Sequence, residues 1–133
     1  MIKGSCHCGA VKYEVGGKLL KFAYCHCPDC QKFTGSAFNP ALIAELEGFV
    51  VTQGEDNLVA HESSPGKLRH FCKTCGCHLF GTSKNREGMV IVLAGTLDTD
   101  PGMRPQCHIW VSKNPAWNEI GDSLPQYAEW PPQ

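Results

Sequence analysis

Short runs of apolar and β-branched residues recur along the chain, and Gly, Pro, Asn and Asp separate them. Some runs alternate apolar and polar residues, as in a half-buried strand, whereas the continuous apolar run Met89–Leu93 predicts a buried central strand. This pattern predicts a mainly β fold with many short strands joined by turns. The predicted strands are Ala10–Val15, Leu19–Tyr24, Ala37–Ile43, Phe49–Thr52, Lys67–Phe71, His78–Phe80, Met89–Leu93 and His108–Val111.

Helix signals are scarce, so we expect very little helix. The best candidate is Pro28–Phe33, because Pro suits the first helical position and Gly35 suits the residue after the last turn. The C-terminal residues 114–133 contain four prolines and three aromatic residues. They predict an extended tail whose aromatic side chains pack across the sheet surface.

Length and charge limit the class of protein. The 133 residues suit a single domain, expected over residues 1–133. The formal net charge of -1 argues against binding nucleic acid through bulk phosphate attraction. No apolar run approaches the roughly 20 residues of a membrane helix, and the N-terminus lacks an apolar signal-peptide core. We therefore expect a cytoplasmic protein with no membrane partner.

Nine cysteines are more than packing in a cytosolic protein requires, and their odd number prevents complete intramolecular disulfide pairing. Most of them fall into three groups on predicted turns: Cys6-His7-Cys8-Gly9, Cys25-His26-Cys27-Pro28-Asp29-Cys30, and Cys72-Lys73-Thr74-Cys75-Gly76-Cys77. Thiols two or three residues apart can reach one zinc ion. Glycines after the first and third pairs let backbone N–H groups turn toward the sulfurs.

A closed structural zinc site needs four ligands, and two such turns supply them. The simplest pairing joins Cys6 and Cys8 with Cys72 and Cys75. This site would connect the start of the chain to its middle, with a β domain inserted between the two turns. The alternative is that these four are buried, reduced cysteines without a metal.

Cys25, Cys27 and Cys30 then remain as three ligands on one short turn. A catalytic zinc keeps three protein ligands and one open position, and we interpret this group as such a site. The alternative is a second structural zinc, closed by a fourth ligand chosen from Cys77, Cys107, His26 and His108.

The donor set also indicates a chemistry. A zinc ion with three thiolate ligands has a net charge of -1. Such a site activates water weakly but binds another soft ligand well. A zinc-bound thiolate stays nucleophilic at neutral pH, where a free thiol of pKa about 8.5 is mostly protonated. The open position is therefore predicted to bind a small-molecule thiol.

The ordered motifs resemble the glutathione-dependent formaldehyde-activating enzyme family, whose domain is shared with centromere protein V. The resemblance runs through Gly4–Val11, Cys25–Ser36 and Phe71–Gly76, and continues at His108–Val111 and Leu124–Tyr127. It implies a β-tent-like fold of antiparallel sheets and two zinc ions per chain. Cys6, Cys8, Cys72 and Cys75 would hold the structural ion, and Cys25, Cys27 and Cys30 the catalytic-type ion.

The resemblance also implies a carbon–sulfur lyase activity, the formation of S-(hydroxymethyl)glutathione from formaldehyde and glutathione as co-substrate. Cys77 and Cys107 depart from the common pattern, and each is either an additional ligand or a bystander thiol. Other members conserve the fold without a proven substrate. The alternative is therefore a non-catalytic module with two structural metals that binds a protein or nucleic acid.

Residues directly after the three-cysteine turn are candidate contacts for the thiol ligand. Lys32 could pair with a carboxylate, and Thr34 and Ser36 could bind the peptide portion of glutathione. Phe38 and Trp110 could form the pocket wall. His26 is expected to point away from the metal, and His108 is a candidate acid–base or metal-orienting group.

Overall fold

The computed structural model describes residues 1–132, and within them ten strands form two sheets. Single-turn 3-10 helices lie at Glu55–Asn57, Lys84–Arg86, Ala94–Thr96 and Val111–Lys113. The strands and the α-helix, in chain order, are β1 Ile2–Ser5, β2 Lys12–Val15, β3 Leu19–Cys25, α1 Pro28–Thr34, β4 Asn39–Glu45, β5 Phe49–Gln53, β6 Leu58–Ser64, β7 Lys67–Cys72, β8 His78–Ser83, β9 Met89–Leu93 and β10 Cys107–Ile109.

The small sheet has the order β1-β2-β5, and the large sheet has the order β10-β3-β4-β9-β8-β7-β6. All pairings are antiparallel except β10 with β3, which is parallel. The expectation of a mainly β fold is thus confirmed, with one parallel pair that the expectation of antiparallel sheets did not include. β9 lies in the middle of the large sheet, as its apolar sequence predicted.

The two faces of the large sheet have different surroundings because strand side chains alternate between faces. Leu42 and Ala44 of β4 and Val90 and Val92 of β9 are fully buried in the main core. This core also takes Tyr13 and other residues of the small sheet. The intervening side chains point to the opposite face, where they line a cavity.

Helix α1 begins at Pro28 and stops before Gly35, as predicted, and it is one residue longer than the predicted Pro28–Phe33. The Sγ atom of Cys27, at the N-cap, accepts a hydrogen bond from the Cys30 N–H at 3.3 Å. Gly35 ends the helix in the left-handed conformation, with φ of 64°. Because the helix starts at Pro28, it fixes Cys30 next to Cys25 and Cys27.

Two strands, several strand bounds and part of the tail differ from the predictions. β1 and β6 were not predicted. β2 and β4 begin two residues later than predicted, β8 ends three residues later, and β10 begins one residue earlier and ends two residues earlier. In the tail, Tyr127 packs against a second buried cluster around Ala23 and Ile109, as expected. Trp117 instead remains 73% exposed, so the prediction of a packed aromatic is wrong for this residue. Within residues 1–132, no helix is long and apolar enough to cross a membrane.

Candidate functional site

The first cysteine group joins the start of the chain to the β7–β8 turn. The sulfurs of Cys6, Cys8, Cys72 and Cys75 all lie within 4.8 Å of one another. The sulfur of Cys8 lies 3.6 Å from that of Cys6 and 3.7 Å from that of Cys72. Four sulfurs about 2.3 Å from one tetrahedral ion would be about 3.8 Å apart. The donor set and spacing therefore fit a four-coordinate zinc.

Backbone and side-chain donors point at these sulfurs. The N–H of Val11 lies 3.3 Å from Cys6 Sγ, and Asn57 Nδ2 lies 3.1 Å from Cys72 Sγ. The backbone N–H of Cys75 is the main cause that lowers the pKa of Cys72, to about 6. These contacts favour the thiolate form, which is the form that binds metal.

The second group consists of Cys25, Cys27 and Cys30, whose sulfurs also lie within 4.8 Å of one another. Cys25 ends β3, Cys27 caps α1, and Cys30 lies in its first turn. Among residues 1–132, no further Cys, His, Asp or Glu ligand atom completes this group. The four side chains considered as a fourth ligand, those of Cys77, Cys107, His26 and His108, do not join it.

The three sulfurs ionise unequally when no cation compensates them. Hydrogen bonds from Cys25 and then Cys30 lower the pKa of Cys27 to about 2, and the charge of Lys67 adds to this effect. The pKa of Cys25 is raised by its contacts with the Cys27 and Cys30 sulfurs and by burial. Three thiolates this close repel one another, so full ionisation requires a cation between them. The group therefore fits a metal that binds thiolates.

A cavity of about 470 Å³ opens beside the three-cysteine group, on the face of the large sheet opposite the main core. Its size lies in the range of roughly 300–1,000 Å³ that holds small molecules. The lining is mainly apolar and includes three cationic side chains. The lining includes Ala41, Ile43, Ile91, Ile109, Trp110 and Trp130, with Lys67, Arg69 and Arg86 as the cations and Asp29 as the acidic residue.

Trp110 lines this cavity, as expected. The other candidate contacts lie elsewhere: Thr34, Ser36 and Phe38 line a separate groove beside Cys77, and Lys32 is exposed on α1. The hydroxyl of Thr34 donates to the Cys30 carbonyl at 2.7 Å, within the helix. The structure therefore does not bring Lys32, Thr34 and Ser36 to the cavity, because the helical turn directs this segment away from it.

The sequence reasoning missed Lys67, Arg69, Arg86 and Asn39, which belong to the cavity. It also missed Asp122, whose carboxylate contacts Nε2 of His108 at 2.9 Å. Charged residues in a strand are ordinarily solvent-facing, so the sequence held no local signal for a buried cation on β7.

Comparison with known proteins identifies the family. The sequence profile of the family described as glutathione-dependent formaldehyde-activating enzyme matches residues 1–113. The chain belongs to this family. The matched range contains both cysteine groups and all ten strands of the described residues.

Relatives with the family name occur in bacteria and fungi. A Halomonas elongata protein, provisionally named a glutathione-dependent formaldehyde-activating enzyme, is 28% identical over 90% of this chain and 81% of its own length. A protein of Phaeosphaeria nodorum with the same provisional name is 30% identical over 80% of this chain. The match covers 59% of the Phaeosphaeria protein, so this chain spans less than two thirds of that fungal relative.

A solved structure supports the fold. The crystal structure of a Rhodobacter sphaeroides protein superposes with a TM-score of 0.63 at 28% sequence identity. The match covers 77% of this chain and 97% of the Rhodobacter chain. This chain thus has sequence relatives with the family name and a structural neighbour of similar fold.

Proposed function

We propose that this protein joins the thiol of glutathione to formaldehyde, and catalyses the reverse cleavage, as a carbon–sulfur lyase. A bond forms between the glutathione sulfur and the carbonyl carbon while the carbonyl π bond breaks. The oxygen becomes a hydroxyl by taking up the proton that the thiol gives up. The observation that carries this proposal is the three-cysteine group beside a cationic, glutathione-sized cavity in a member of this family.

Two zinc ions per chain belong to the proposal. Cys6, Cys8, Cys72 and Cys75 would hold a structural ion, and Cys25, Cys27 and Cys30 would hold a catalytic-type ion. When bound at the second group, zinc supplies a Lewis-acidic centre that stabilises a thiolate near neutral pH. The lack of a fourth ligand among residues 1–132 supports an open position there, rather than the closed site of a purely structural module.

The charges of the cavity suit a small peptide thiol. Glutathione carries carboxylates at both ends, and we expect Lys67 and Arg86, which line the cavity, to pair with them. The Arg86 guanidinium lies 4.4 Å from the centre of the Trp130 ring, which restricts its orientation. Asp29 offers a carboxylate for the glutathione ammonium group. These residues orient the peptide so that its sulfur faces Cys25, Cys27 and Cys30.

Replacement of one sulfur tests the proposal. Because the adduct also forms without a catalyst, the readout is the exchange rate between ¹³C-formaldehyde and its glutathione adduct at equilibrium, measured by NMR. We expect the zinc-loaded protein to accelerate this exchange and Cys30→Ser to reduce it to the uncatalysed rate. Cys77→Ser is the matched control and should retain activity, because Cys77 lies outside both groups. Full activity of Cys30→Ser would refute the proposed site.

A further inference from the structure

Arg69 is an unusual residue of the cavity because its charge is buried and no carboxylate among residues 1–132 pairs with it. Its side chain is on β7, and the residue is only 7% exposed. Nε donates to Ser63 Oγ at 3.0 Å, and the guanidinium carbon lies 4.8 Å from the centre of the Phe33 ring. In the described chain, residues 1–132, Nη2 has no hydrogen-bond partner, and Arg69 forms no ion pair. A buried cationic donor left unpaired costs free energy, so a ligand that pairs with it would bind favourably.

Asn39 supplies a second unpaired polar atom in the same cavity. It begins β4 directly opposite Cys25 on β3, and it is only 3% exposed. Its Oδ1 has no hydrogen-bond partner among residues 1–132. Both residues line the cavity, and each has one buried polar atom, a donor in Arg69 and an acceptor in Asn39, without a partner among residues 1–132.

The two residues also line a narrow recess of about 20 Å³ that adjoins the cavity. Gly81 of β8, which lies opposite Arg69 on β7, also lines the recess. This volume exceeds the roughly 10–15 Å³ that one water-sized group needs. The recess therefore suits a single small polar group and not a bulky substituent.

We propose that Arg69 and Asn39 bind the oxygen atom of the aldehyde substrate. This inference rests on the proposed function. As the sulfur–carbon bond forms, the carbonyl oxygen gains negative charge, and Arg69 Nη2–H donates to it. After the oxygen takes up the proton, the resulting hydroxymethyl O–H donates to Asn39 Oδ1. A hydroxyl both accepts and donates, so it satisfies both unpaired atoms.

A glutathione carboxylate is a poorer occupant of this position. It only accepts hydrogen bonds, and Asn39 Oδ1 would repel it. The assignment makes Arg69 and Asn39 catalytic residues that contact the reacting atoms, whereas Lys67 and Arg86 hold the ends of the thiol substrate.

The exchange rate in variants tests this assignment. For Arg69→Gln we expect kcat to fall by about 10²–10³, the usual effect of removing a donor to a developing oxyanion. For Asn39→Leu we expect a loss of about tenfold, equivalent to one hydrogen bond. The KM for glutathione should change little in both. Arg104→Gln is the control, because Arg104 is exposed and forms a surface ion pair with Asp100.

A binding measurement separates a role in oxygen binding from a structural role. We would compare the affinity for S-ethylglutathione with the affinity for the hydroxymethyl adduct, which is formed in excess formaldehyde. The two ligands differ only in that the first has a methyl group where the second has a hydroxyl group. The wild type should prefer the hydroxymethyl adduct, and Arg69→Gln and Asn39→Leu should lose this preference while binding S-ethylglutathione normally.

An increased KM for glutathione with unchanged kcat in Arg69→Gln would overturn the assignment, because it would place a carboxylate at Arg69. Wild-type rates and preference in both variants would also overturn it, and would leave a single water as the occupant. Failure of the proposed function is distinct, because the wild-type protein would then neither bind glutathione nor accelerate exchange.

Discussion

Nε2 of His26 lies 2.9 Å from Nδ1 of His108, and both imidazoles are buried. Nε2 of His108 in turn contacts the Asp122 carboxylate at 2.9 Å. The N–H of Leu124 and then His108 lower the pKa of Asp122, so this group is a carboxylate and accepts a hydrogen bond from Nε2–H of His108. Nδ1 of His108 then accepts a hydrogen bond from Nε2–H of His26. This chain of hydrogen bonds connects the C-terminal segment to the turn that carries Cys25 and Cys27.

We predict that Asp122→Asn loosens the three-cysteine site without unfolding the protein. The amide that replaces the Asp122 carboxylate can donate to His108, so the hydrogen bonds that link this position, His108 and His26 can reverse their direction. This reversal removes the constraint on His26. In the presence of a chelator, zinc should leave the three-cysteine site of the variant about tenfold faster than that of the wild type. Losses of this size are usual when a residue that orients metal ligands is replaced. The four-cysteine site is the internal control, and Asp100→Asn is the matched surface control. If zinc leaves both sites at the wild-type rate, the hydrogen bonds from Asp122 through His108 to His26 do not position the turn.

The four-cysteine site should stabilise the fold by closing a long loop. Cys8 and Cys72 are 64 residues apart in the sequence. Loop closure of this length is worth on the order of 4 kcal/mol. We predict that Cys8→Ser lowers the free energy of unfolding by about this amount and the zinc content by one ion. His7→Ser replaces an equally exposed neighbour and should change neither quantity. A Cys8→Ser variant with wild-type stability in urea would contradict the structural role.

Gly4 and Tyr13 form a tight cross-strand contact in the small sheet. A Cβ atom at Gly4 would overlap the Tyr13 ring, which is fully buried and holds Thr96 through a hydrogen bond of 2.7 Å. Gly4→Ala should therefore destabilise the protein by about 1–3 kcal/mol, the usual cost of overpacking. Gly121→Ala meets no atom within 4 Å and is the control in thermal unfolding. Equal melting temperatures for both variants would contradict the packing described for β1 and β2.

His78 should make stability depend on pH. Burial lowers its pKa, and the positive charges of Arg69 and His61 lower it further. The unfolded chain therefore takes up this proton at a higher pH than the folded chain. The contribution of neutral His78 to the free energy of unfolding is present above pH 6.5, the pKa in the unfolded chain. It is lost as the pH falls from 6.5 toward the lower pKa of the folded protein. We predict that His78→Phe loses less stability than the wild type between pH 7.5 and 5.5 in urea unfolding. An equal loss in both proteins would show that His78 does not carry this dependence.

The sequence predicted most of the strands because their apolar residues alternate or form continuous runs. β6 escaped prediction for a physical reason: residues 59–62 are exposed, and the strand forms through its pairing with β7 at the sheet edge. β1 is only four residues long and contains Gly4, so it lacks a clear strand pattern. Such strands depend on tertiary pairing more than on local preference.

The partition of the cysteines was predictable because ligand spacing on a turn is a local property. The residues that surround the three-cysteine group could not be predicted in this way. The contacts predicted from sequence were the nearest residues along the chain, such as Lys32, whereas the cavity takes Arg69 and Asn39 from distant strands. Register and sheet order bring these residues to Cys25, and neither can be deduced from spacing.

The most direct test of the account is the absorption spectrum of the cobalt-loaded protein during titration with glutathione. If the group of Cys25, Cys27 and Cys30 has an open position for a thiol, the ligand-field and sulfur-to-cobalt bands should change and reach saturation. The same titration of Cys30→Ser should show no such change. A wild-type spectrum that remains constant at saturating glutathione would contradict the central claim that this site binds a thiol substrate.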